Sequence, residues 1–133
     1  METGYRFGSG EIEAVLATDA ETRYRYFIKR VADWEQVWGL RNADGWVLAA
    51  KDDGQQVALF WPFEAYAQRA AVEQWHDTEP APIPLEAFME RWLPGLAGDE
   101  RLVCVLPGVD GRGPVVPPMT LKDDIQDELD RLE

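Results

Sequence analysis

The chain has 133 residues, 46% of them hydrophobic, which suits one domain with a real core. Its 13 Lys and Arg stand against 25 Asp and Glu, and the resulting charge of −12 disfavours phosphate backbones and anionic membranes as partners. One histidine (His76), one cysteine (Cys104) and one serine (Ser9) are too few for the common Ser–His, Cys–His and zinc constellations.

No run approaches the ~20 apolar residues of a membrane span. The start, Met1 to Arg6, lacks the basic-then-apolar order of a secretory signal. A lone cysteine forms no internal disulfide, so a reduced, cytoplasmic protein is expected.

Residues 1–8 read as a tail ahead of a single domain over 9–133. A short helix from Ser9 would carry Ile12, Val15 and Leu16 on one side. Thr18 and Glu21 have capping-box spacing, and Tyr24, Phe27, Ile28 and Val31 then follow at helical spacing. Val37 to Arg41 reads as a strand, with the turn signal Asn42-Ala43-Asp44-Gly45 after it. Trp46 to Ala50 is a second strand, and Lys51 to Gly54 turns the chain. Gln56 to Trp61 is a third, stopped by Pro62.

Phe63, Tyr66, Ala67 and Ala70 predict a helix up to about Trp75. The proline-rich stretch His76 to Pro84 reads as an extended linker without regular hydrogen bonding. Leu85, Phe88, Met89, Trp92, Leu93 and Leu96 form the clearest amphipathic helix, with Gly95 and Gly98 expected to end it. Leu102 to Leu106 reads as a strand, and the glycine loop 108–113 as a hairpin leading to Val115 and Val116. A last helix, capped by Thr120 with Asp123, would turn Leu121, Ile125, Leu129 and Leu132 inward. The fold class is therefore α+β: a mainly antiparallel sheet of about five strands with helices packed on one face.

The segment Tyr24-Arg25-Tyr26-Phe27-Ile28-Lys29-Arg30-Val31-Ala32-Asp33, with Val37-Trp38-Gly39-Leu40 and Gly45-Trp46, resembles a bacterial family of unknown function, DUF2750-like. Phe60-Trp61-Pro62, the block Trp92-Leu93-Pro94-Gly95-Leu96 and the acidic C-terminal helix fit the same pattern over about residues 12–133. The order of elements is also similar to that of SseB-like domains. The resemblance implies a small bacterial cytosolic protein and brings no established catalytic site.

The chemistry-bearing residues each have a plain alternative. Cys104 falls mid-strand and His76 opens the proline stretch, so a nucleophile–base pair is not expected. Asp52-Asp53 and the set Asp123, Asp124 and Asp127 could hold a cation, but solvated acidic faces explain them better. Gly108, Gly111 and Gly113 precede a strand, not a helix, which argues against a phosphate loop. Arg23, Arg25, Lys29 and Arg30 read as a solvated helix face paired with Glu21 and Asp33.

The six tryptophans exceed what a small core requires. Four of the six are expected in the core, and a cleft or interface would draw its binding residues from Trp38, Trp46 and Trp61, with Arg41. No catalytic residue, metal or cofactor is assigned. The leading expectation is a non-enzymatic acidic binding or adaptor protein for a protein partner, with a basic target of an immunity-like protein as its specific form, or one that pairs with its own copy. The alternative is a small-ligand-binding protein or carboxylate-dependent enzyme with an aromatic pocket near Trp38, Trp46 and Arg41.

Overall fold

The computed structural model describes residues 10–50, 53–72, 75–107 and 112–132. The expected tail 1–8, Ser9, Asp52 and the glycine-loop residues 108–111 lie outside these.

Helix α1 (Glu11–Leu16) leaves Ile12, Val15 and Leu16 half-buried against the core. Helix α2 (Ala20–Trp34) buries Phe27, Ile28 and Val31, the stripe its spacing predicts. Its cap differs from expectation. Asp19 accepts from the Thr22 amide at 2.8 Å, whereas the Thr18 hydroxyl donates backward to the Val15 carbonyl at 2.6 Å. An anionic acceptor satisfies an orphan amide and also meets the positive end of the helix dipole, an advantage a hydroxyl lacks.

Strand β1 (Gln36–Asn42) turns through Gly45, at φ 125°, into β2 (Gly45–Trp46). The chain then switches partners at Val47. Its amide donates to Leu40 of β1 at 2.9 Å, but β3 (Leu48–Ala50) pairs with β4 (Gln56–Phe60). The single strand expected over Trp46 to Ala50 is thus two short ones. They lie in separate sheets, ordered β2-β1-β5 and β3-β4-β6-β7. Trp38 and Trp61 join the sheets by exchanging both backbone hydrogen bonds at 2.8 Å. Strands β1 and β4 therefore meet at this bridge, while 45–50 crosses from one to the other.

The expected linker is in fact a strand. After α3 (Glu64–Ala70), residues Glu79–Pro84 form β5, antiparallel to β1 with Trp38 opposite Pro82 and Leu40 opposite Pro80. Trp38 spends its amide on Trp61, and the Leu40 carbonyl accepts from Val47. Both groups therefore point away from β5, which makes these the positions where paired residues share no hydrogen bonds. Prolines 80, 82 and 84 sit at alternate positions, so their missing amides fall on the outer side, where β1 needs nothing. The prolines bar hydrogen bonding on one side only.

Helix α4 (Leu85–Ala87), a π-helical turn Phe88–Trp92 and α5 (Leu93–Gly98) run on without a break. Gly95 lies inside α5, and Gly98 is its last residue. Strand β6 (Leu102–Val105) pairs in parallel with β4 and antiparallel with β7 (Val115–Val116). Close approach makes Gly113 necessary: an added Cβ would stand 2.8 Å from the Val105 carbonyl oxygen. Helix α6 (Pro118–Leu132) starts with proline at its first position, so the expected Thr120 cap lies inside the helix. Leu121 and Ile125 are fully buried, whereas Leu132 is 54% exposed. The result is the expected mix of helix and largely antiparallel strand.

Candidate functional site

The tryptophans divide differently from expectation. Trp61 and Trp75 are buried; Trp38, Trp46 and Trp92 are half-buried; Trp34 is 43% exposed, edge-on to Phe63. Trp61 is 1% exposed and its indole donates to the Pro107 carbonyl at 3.2 Å. It follows Phe60 directly, so strand alternation turns it to the opposite face, and it lines no surface. The interface assignment of Trp61 is thereby corrected: its ring is core.

Trp46 and Arg41 do come together. They are paired across β1 and β2, and the Arg41 guanidinium stands 5.4 Å from the Trp46 ring centroid. The Trp46 ring reaches this place because Gly39, two residues back from Arg41 on the same face, offers no side chain. An added Cβ there would meet Cε3 and Cζ3 of Trp46 at 2.9 Å. Trp38 lies on the other face of β1 and contributes its backbone to the bridge.

Beside Arg41 is a shallow cleft of about 540 Å³, lined also by Asn42, Ala43, Asp77, Glu79, Pro80 and Ala81. Asn42 shapes it: its side-chain carbonyl accepts from the Asp44 amide at 2.8 Å, and its amide donates to Asp77 at 3.2 Å. One residue thus holds the β1–β2 turn against the segment that enters β5. The lining has one cation, Arg41, and two carboxylates, Asp77 and Glu79, all exposed. The sequence hides this convergence, because β5 must first be recognised as a strand.

A second, smaller hollow of about 220 Å³ lies between Trp46, Leu48, Ala58, Phe60, Trp92 and Leu96, with Arg101 also in its lining. Trp92 stands edge-to-face with Trp46 at 4.8 Å and with Phe60 at 6.0 Å. Trp92 reads in sequence as one more core position. The π-helical turn that ends on it has no sequence signal of its own.

Other titratable groups are absorbed by structure. Tyr24 donates to Asp124 at 2.5 Å; burial first, and then the Asp124 carboxylate, hold its phenol well above the ordinary range. Burial likewise raises Tyr26, which donates to Glu11 at 3.2 Å and accepts from Tyr66 at 3.0 Å. Arg23 donates to the Leu106 carbonyl at 2.8 Å, Arg25 pairs with Glu21 at 2.8 Å, and Arg30 stands 4.0 Å from Asp33. His76 is exposed and Cys104 is buried in β6. Among the described residues no three His, Cys, Asp or Glu converge on a point that could hold a metal ion. No described helix is long and apolar enough to cross a membrane.

No curated protein and no solved structure matches the chain. Residues 24–125 match the family described as a protein of unknown function, DUF2750; they include both hollows, the Trp38–Trp61 bridge and the Tyr24–Asp124 contact. The chain belongs to the DUF2750 family.

Proposed function

We propose that this is a non-enzymatic binding protein that takes a basic segment of a protein partner at the Arg41–Trp46 end of the first sheet. The supporting observation is a half-buried tryptophan, held under Arg41, next to a cleft whose lining carries Asp77 and Glu79. Trp46 supplies rigid apolar area, and the two carboxylates supply the charge that steers and aligns a cationic side chain. The net charge of −12 favours the same class of partner at longer range. An immunity or adaptor protein for a basic target is one form of this reading. A second reading, a small-ligand-binding protein, draws on the apolar hollow between Trp46 and Trp92.

Affinity capture with the wild-type protein and an Asp77→Lys/Glu79→Lys variant tests the docking reading. A basic protein should be retained by the wild type at low salt, released at high salt, and lost with the variant. Identical captures from both would exclude this surface.

A further inference from the structure

The hollow on the Trp92 side has the make-up of a ligand site, not of a packing defect. Its floor is strand β4, where Ala58 lies opposite Leu48 on one neighbouring strand and Val103 on the other. Both neighbours are larger, so the small Ala58 leaves a gap in the row. Phe60, two residues on, closes one end of that face. The wall is helical: Trp92 ends the π-helical turn, and Leu96 follows in α5. π-Helical turns are rare and recur at functional sites. Here the turn sets the Trp92 ring across both Trp46 and Phe60.

Size and polarity narrow the occupant. A volume of about 220 Å³ exceeds the roughly 150 Å³ apolar cavity that accepts benzene. It leaves room for one ring and a short substituent. Seven apolar residues, Leu59 among them, and one arginine make the balance typical of small-molecule sites. The polar residue is Arg101, its side chain 33% exposed, whose Nε donates to Gln56 at 3.0 Å. It pairs with Asp99, which is 65% exposed and 3.7 Å away, a loose pair that a better placed anion can replace. No Asp or Glu lies in the lining among the described residues.

We propose that this hollow binds a single-ring aromatic carboxylate, with the ring between Ala58, Leu48, Phe60 and Trp92 and the carboxylate on Arg101. The inference rests on the small-ligand reading of this hollow and is independent of the docking reading, since the cleft beside Arg41 has a different lining.

Phenylacetate, 2-phenylethanol, phenethylamine and acetate should be titrated into the full chain, followed by tryptophan emission and ligand-observed NMR. Phenylacetate should bind saturably, about tenfold tighter than the alcohol, which is the scale of one charge-assisted hydrogen bond. Acetate should not bind. Arg101→Gln should remove the preference for the acid while leaving the alcohol unchanged, and Ala58→Ile should weaken both by filling the gap. The surface variant Arg101→Gln keeps the test decisive should Ala58→Ile fail to fold. Asp77→Lys/Glu79→Lys should leave phenylacetate binding intact, separating this site from the docking cleft. Equal binding of acid and alcohol, preference for the amine, or no saturable binding by a natively melting protein would each overturn the proposal.

Discussion

Trp46 can lie where it does because residue 39 has no side chain. Gly39→Ala puts a methyl 2.9 Å from two ring carbons held between β1 and Trp92, so the ring must move or the strand must bend. A loss of about 1–3 kcal/mol is expected from such overpacking, read by denaturant unfolding together with a changed Trp46 emission. Asp19 offers a pH test at the same scale. Its pKa is lowered from 3.8 by hydrogen bonds from Thr22, so the cap is fully formed above that value and is lost as pH falls through the lowered one. Asp19→Asn should keep the cap but flatten the acid limb of a thermal melt series, whereas Asp19→Ala should lower the melt at neutral pH. The capping aspartate is legible in the sequence, since Asp19 stands directly beside Thr18 and is the stronger acceptor. Trp61 is not, because two adjacent aromatic residues in a strand face opposite ways and only the packing decides which is outward.

Elements defined by apolar spacing were legible in the chain: α2, β1, β4, the helical run from Leu85 and α6 all fall where the pattern places them. Besides the split of 46–50 into β2 and β3, the sequence pattern hides β5, and the reason is physical. Proline removes a donor, but a strand at a sheet edge uses only every second donor, and the prolines occupy the unused set. This arrangement also bears on self-association. The outer side of β5 offers carbonyls at Pro80, Pro82 and Pro84 but no amides there, so another strand finds only half a ladder. Pro80→Thr/Pro82→Thr should restore donors without disturbing the pairing with β1. A concentration-dependent shift to dimers or larger species in sedimentation is expected of the variant and not of the wild type. The docking cleft could not be read from spacing either, because Arg41 and Glu79 become neighbours only through β5.

Across the whole molecule, near and far segments interlock: β1 with β5, β4 with β6, and α2 with α6. The Tyr24–Asp124 hydrogen bond joins positions 100 residues apart. Tyr24→Phe should cost about 1–2 kcal/mol at neutral pH. It should also remove part of the alkaline sensitivity. Because the folded state holds the phenol protonated, the contribution of Tyr24 is complete below its ordinary value of 10.0 and declines as pH rises beyond it. The same interlocking has a consequence in time. During synthesis α2 emerges with Phe27, Ile28 and Val31 ready to pack, yet the helix that supplies Asp124, Leu121 and Ile125 is made only after the sheets. At ordinary translation rates of roughly 5–20 residues per second, that stripe waits seconds for its cover. Until α6 is made that stripe keeps one side uncovered, and a chain stopped before residue 118 lacks the Leu121 and Ile125 share of its native core.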